Sequence, residues 1–228
     1  KLFNSFRQGV EKEVFSNFNI CKALKSILRE KPKIVQSMYF EGNSATWEHQ
    51  DSYYLDSEKI GEMTAAWLAL EEIKADAGRF FICPESHKMD HGKQNISNNI
   101  AENHDKYISE VVSIIKSKNM KIKAPCLGAG DVLLWNSWTI HGSIDSQNKE
   151  YSRSSITLHA IPKSHLFLEY HARKRNLQTD DLGNSVIYRP KDQSKLINRL
   201  ILNFETYFPS FFNWLKRKAI KYLIKKNS

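Results

Sequence analysis

Trp47-Glu48-His49-Gln50-Asp51 is the stretch from which the rest of the chain is best read. A histidine and an aspartate two residues apart in an extended segment place an imidazole and a carboxylate on one face of a strand. Two such ligands want a third. A histidine arriving from later in the chain would set two imidazoles and one carboxylate on one side of a metal, which suits a non-haem Fe(II) with open positions. With 8 histidines in the chain, a lone His-x-Asp carries little weight, so corroboration has to come from its surroundings.

Upstream, Ile34 to Phe40 is rich in β-formers and closes on Gly42-Asn43, which predicts a strand feeding the turn before Trp47. Residues 1–31 read as helical, with Phe15, Phe18, Ile20, Leu24, Ile27 and Leu28 at three- and four-residue spacings that stop before Pro32. Downstream of a polar turn at 56–61, Thr64 to Ile73 is apolar on both faces, as expected of a strand buried between layers. Ala77-Gly78 leads into a short strand over 79–83 that ends at Pro84, and 85–99 reads as a loop. One helix is expected over 100–115, from Ile108, Val111, Val112 and Ile115. Strands follow at Val132–Trp135, Trp138–His141 and Ser152–Ile161. Two batches of strands around one helical insert favour a mainly β fold with flanking helices, a double-stranded β-helix or jelly roll.

Beyond Pro162 the pattern turns helical again. Leu196, Ile197, Leu200, Ile201 and Phe204 suggest one helix, and Phe212, Leu215, Ala219, Ile220 and Leu223 a second with a lysine-rich opposite face. The reading is one domain over 1–228, with a jelly-roll core at about 34–161 and a basic helical extension at about 191–228.

The formal net charge is +9, and Lys216, Arg217, Lys218, Lys221, Lys225 and Lys226 supply six of those charges with no acid after Glu205. The basicity therefore belongs to a tail, and no nucleic-acid module is recognisable, so no nucleic-acid partner is expected. A peripheral membrane contact through the basic helix is compatible with it. No run of eighteen apolar residues occurs. The opening Lys1-Leu2-Phe3-Asn4 lacks the apolar core of a signal peptide, and the expectation is that an N-terminal portion has been lost. Cys21, Cys83 and Cys126 are odd in number and widely spaced, which argues against a disulfide framework or a thiolate zinc site; a reducing cytoplasm is the default.

His141, at the end of a predicted strand in Trp138-Thr139-Ile140-His141-Gly142-Ser143, is the best third ligand. Arg153 stands twelve residues on. If the strands carrying them lie side by side, its guanidinium sits near the metal and can hold a dicarboxylate with paired N–H donors. His87 reads as part of a turn, His159 as a strand position near the site, and His91, His104, His165 and His171 as exposed polar residues. Tyr53, Tyr54 and Trp138 suit a pocket lining or barrel packing equally well.

His49-x-Asp51, Trp67 with its apolar neighbours, Ala77-Gly78 leading to Pro84-Glu85-Ser86-His87-Lys88, His141-Gly142-Ser143 and the later Arg153 together resemble the phytanoyl-CoA dioxygenase family of Fe(II)- and 2-oxoglutarate-dependent oxygenases. The chain departs from that family at Glu85, where glycine is usual. The resemblance implies that His49, Asp51 and His141 bind Fe(II) and that Arg153 binds the distal carboxylate of 2-oxoglutarate. It further implies Trp67 and Met38 beside that co-substrate, with Ser155, in Arg-x-Ser, aiding the same carboxylate. The implied reaction is hydroxylation of a small organic or carrier-linked molecule, with release of succinate and CO2. The rival reading is a catalytically idle jelly roll that binds a ligand or a membrane through its basic C-terminal helix. A zinc hydrolase on the same ligands lacks a nearby carboxylate assignable as general base, with Glu48 the one residue left open for it.

Overall fold

In a computed structural model the described residues are 7–42, 45–89, 100–170, 173–189 and 195–227. A helical turn, α1 (Arg7–Val10), runs through a π-helical stretch (Glu11–Phe15) towards α2 (Phe18–Leu28). Asn17 caps α2, its side-chain oxygen accepting from the backbone N–H groups of Asn19 and Ile20, and Arg29 ends it in the left-handed region at φ 62°. The apolar stripe of α2 buries Ile20, Cys21, Leu24 and Leu28.

Eleven strands follow or flank the remaining helices among the described residues. They are β1 (Pro32–Phe40), β2 (Leu55–Ser57), β3 (Thr64–Ala69), β4 (Phe80–Ile82), β5 (Val132–Asn136), β6 (His141–Ser143), β7 (Ser155–Pro162), β8 (Phe167–Glu169), β9 (Arg173–Arg175), β10 (Asp180–Asp181) and β11 (Val186–Ile187). A six-stranded sheet has the order β10-β11-β1-β7-β3-β5, a three-stranded one β2-β8-β9, and β4 pairs with β6. Only β1 and β11 run parallel among these pairs.

Alternation along β3 and β7 explains why both read as apolar on two faces. Ala66, Ile156, Leu158 and Ala160 point outward and join Ile34 under Leu24 and Leu28 of α2. Ala65, Trp67 and Ala69 point inward and pack with Trp135 of β5. On β7 the inward set includes Thr157 and His159, which line a cavity together with Phe80 of β4 and His141 of β6. The cavity thus lies between the six-stranded sheet and the β4–β6 pair.

Several expected boundaries shift. Trp138–His141 is no strand: Asn136 accepts from the Trp138 N–H with its side chain and from the Thr139 N–H with its carbonyl, so the chain turns there and β6 begins at His141. β3 stops at Ala69, short of Ile73, and the Glu71 carboxylate just beyond accepts from Ser152 and Ser154. β6 and β7 do not lie side by side as expected, because β6 pairs with β4 while β7 is taken between β1 and β3. The helical insert is α3 (Ile100–Ser117). Of the expected loop, residues 90–99 lie outside the described residues, and Ser86–Lys88 forms a 3-10 turn. Glu85 has a left-handed backbone at φ 66°, which glycine adopts freely and glutamate at a cost. Strands β8 to β11 were not legible, being two or three residues long. The chain ends in α4 (Leu196–Tyr207) and α5 (Pro209–Asn227).

Candidate metal centre

The His49–Asp51 segment is not a strand. His49 and His141 face each other across an isolated antiparallel bridge, each backbone N–H donating to the other's carbonyl at 2.9 Å, and Asp51 opens a 3-10 turn (Asp51–Tyr53). Residues directly opposite across such a bridge point to the same side, and here the two imidazole centroids are 4.3 Å apart. Gly142 permits this approach: a Cβ there would come within 2.9 Å of the Thr46 carbonyl and 3.0 Å of the Phe81 ring.

The turn then swings Asp51 towards both rings. Asp51 Oδ1 lies 3.7 Å from His49 Nε2 and 3.5 Å from His141 Nε2, and one ligand atom from each of the three residues falls within 4.8 Å of the others. The Nδ1 atoms of His49 and His141 sit 2.8 Å and 2.9 Å from the carbonyls of Trp47 and Thr139, so each Nδ1 donates to backbone and each Nε2 is the atom turned to the centre. Trp135 Nε1 donates to Asp51 Oδ2 at 2.8 Å, which orients the carboxylate and leaves Oδ1 for the centre. Its indole also packs against His141, at 4.9 Å between ring centroids.

Burial and the neighbouring His141 push the His49 imidazole down to about 4, so it is neutral near pH 7, the form that ligates. Burial opposes charge on Asp51, yet the facing His141 and His159 outweigh it and hold the carboxyl well below its usual range. A neutral imidazole and an ionised carboxylate are the states a divalent metal requires.

His159 approaches Asp51 Oδ1 from β7 at 3.4 Å. Its ring is 2% exposed, and neither nitrogen has a well-formed hydrogen bond within the protein. A buried imidazole so placed fits a site completed by a further polar group. The cavity is about 230 Å³, enough for a small dicarboxylate beside the three ligands.

The family model for phytanoyl-CoA dioxygenase (PhyH) matches residues 4–155, about two thirds of the chain. This chain belongs to the phytanoyl-CoA dioxygenase family. The phytanoyl-CoA dioxygenase domain-containing protein 1 homolog of Caenorhabditis elegans is 26% identical over 161 residues, 67% of this chain and 54% of that protein, so the chain spans about half the length of the curated relatives it matches. Among solved structures, the non-heme alpha ketoglutarate dependent epimerase SnoN of nogalamycin biosynthesis superposes with a TM-score of 0.57 at 12% identity, covering 82% of this chain and 72% of SnoN. EctD from S. alaskensis with bound Fe gives 0.56 at 16%, covering 75% and 59%. These likenesses establish the jelly-roll fold of the family.

Against that fold, the residues singled out from sequence are placed as follows. His49, Asp51, His141, Arg153, Trp67 and Met38 all line the one cavity. Arg153 stands two residues before β7, which begins at Ser155 rather than Ser152, and is 4% exposed; a guanidinium N–H donates to the Gly78 carbonyl. A Cβ at Gly78, whose φ is +75°, would meet the Ile144 carbonyl at 2.8 Å, so that anchor calls for glycine. Ser155 does not line the cavity; it is fully buried, its hydroxyl lacks a partner, and Thr157 takes the next inward place.

Tyr54 lines the cavity, whereas Tyr53 stacks on Tyr107 at 3.7 Å in the core and Trp138 covers Gly61. Trp135, Phe80, Phe40, Thr46 and Trp47 were not foreseen in the wall. Aromatics in strands carry no sequence mark that separates wall from core. Two further readings are corrected. His165 is buried, with Nδ1 2.8 Å from the Ser57 hydroxyl, and His104 holds the Tyr54 hydroxyl at 2.9 Å and sits edge-on to Trp47. His91 and His171 lie outside the described residues.

Proposed function

We propose that this chain is the catalytic core of an Fe(II)- and 2-oxoglutarate-dependent dioxygenase that hydroxylates a small organic or carrier-linked substrate. The observation that carries this reading is the convergence of His49, Asp51 and His141, from separate segments, within 4.8 Å in a cavity that also holds a buried arginine. Two imidazoles and one carboxylate on one side of a cation leave its other side open, the donor set suited to non-haem iron. Bound there with 2-oxoglutarate and O2, iron supplies oxidation of a C–H bond to C–OH, with the keto acid leaving as succinate and CO2.

The chain's own residues bind, orient and exclude water. His49 Nε2, Asp51 Oδ1 and His141 Nε2 would hold the metal, and Trp135 keeps Asp51 from rotating away. Arg153 offers the distal carboxylate of the keto acid a charge that burial leaves weakly screened. Trp67, Phe80 and Trp135 form an apolar wall that keeps bulk water from the reacting centre. Trp47, 53% exposed, stands at the rim, so the substrate enters past it.

Anaerobic titration of the protein with Fe(II) and 2-oxoglutarate tests the reading. A weak visible charge-transfer band is expected, with succinate released on admitting air. Asp51→Ala should abolish both, and Arg153→Ala should raise the 2-oxoglutarate KM at least tenfold. Neither band nor succinate in iron-loaded protein would refute it.

A further inference from the structure

The two C-terminal helices carry a surface that the metal site does not use. α4 buries no side chain at all. Leu196, Ile197, Leu200 and Ile201 are 40–63% exposed and share a helical stripe with Phe204, at spacings of three, four, seven and eight residues from it. Phe204 packs edge-on to Phe211 of α5 at 5.9 Å, and Phe211 stacks on Trp214 at 5.6 Å. Phe211 and Trp214 are themselves about half exposed. An apolar strip therefore passes from one helix to the other, far more than the scattered surface leucines of a soluble domain.

The charge around this strip is one-sided. Residues 195–227 hold eight Lys and Arg against one acid, Glu205. Lys216, Arg217, Lys218 and Lys221 are exposed, and the Lys218 ammonium lies 4.0 Å over the Trp214 ring. No helix among the described residues is long and apolar enough to cross a membrane.

We propose that the consecutive helices α4 and α5 form a peripheral docking surface for anionic lipid, lying in the plane of the interface with their leucines and aromatics in the acyl boundary and their lysines on the headgroups. Tryptophan beside lysine and a wide apolar strip suit that boundary. A second copy of this chain fits less well, since it would set one cationic face against another. The surface owes nothing to the metal chemistry, and α5 touches the body of the protein at α3 and β9.

Co-sedimentation with two vesicle compositions tests this, phosphatidylcholine alone and phosphatidylcholine with phosphatidylserine. The purified protein is expected to pellet with the anionic vesicles and to be released as salt is raised. The exposed-charge variant Lys216→Glu/Arg217→Glu/Lys218→Glu/Lys221→Glu should weaken binding at least about a hundredfold. Leu200→Ser/Phe211→Ser/Trp214→Ser should weaken it at low salt too. Both should keep the parent's circular dichroism, and the first changes only exposed side chains. Equal binding to both compositions, no binding to either, or an unaffected charge variant would overturn the proposal. So would a self-association of the parent, seen by sedimentation velocity, that the apolar variant abolishes while vesicle binding is absent.

Discussion

Trp135 shows how much a single hydrogen bond can set. Its indole N–H is the contact that leaves Asp51 Oδ1 facing His49 and His141, and partners of this kind hold ligands in place for a metal. Trp135→Phe leaves an aromatic ring, smaller than indole, and removes the donor, so metal affinity should fall by about 10- to 100-fold in a calorimetric titration. His49 gives a pH prediction for the metal-free protein. Its folded value of about 4 lies below the ordinary 6.5, so the unfolded chain binds more protons between those values. Its contribution to stability is full above pH 6.5 and is lost as pH falls towards 4. Asp56, raised to about 6 by burial, gives the opposite slope over much of this window, so the His49 contribution is read as the difference in urea unfolding between the parent and His49→Asn, which should show it lost below pH 6.5. The shift at Asp51 acts below 3.8, outside this window.

Elements place these residues through close backbone approaches. Gly142 sits where β6 passes the Thr46 carbonyl, and adding a methyl group at 2.9 Å from backbone must move one of them. Gly142→Ala should cost about 1–3 kcal/mol in denaturant unfolding, and should weaken metal binding as well, because each of the two segments carries a ligand, His141 on β6 and His49 after Thr46. The opposite sign is expected at Glu85, whose left-handed backbone precedes the 3-10 turn at Ser86–Lys88. Its ion pair with Lys88 is exposed and contributes little. Glu85→Gly should therefore raise the Tm and Glu85→Ala should not, a comparison that scanning calorimetry makes directly. The bridge between His49 and His141 belongs to this scale too. Two residues paired across a non-local contact leave no periodic trace in either segment.

For the molecule as a whole, a site assembled from residues 49, 51 and 141 ties the β4–β6 pair to the turn at Asp51, so metal binding should stabilise the entire fold. At a metal concentration a hundredfold above Kd the gain is about 2.7 kcal/mol, or a Tm rise of about 5–10 °C for a chain of this size. Thermal unfolding with and without Fe(II) under anaerobic conditions checks it, and Asp51→Ala should show no rise. Much of this architecture could be read without coordinates. The strands read over 64–73 and 152–161, the stripe of α2 and the His49-x-Asp51 spacing are local patterns. Local patterns follow from the period of the backbone, which every strand and helix must obey. What tertiary structure alone decided is the pairing: β7 between β1 and β3, Arg153 brought to the histidines on the chain just before β7, Trp135 and His159 on Asp51, and Thr157 in the wall. Those depend on which strands become neighbours, and that choice is made by summed burial over the whole chain, a quantity no short stretch of sequence contains.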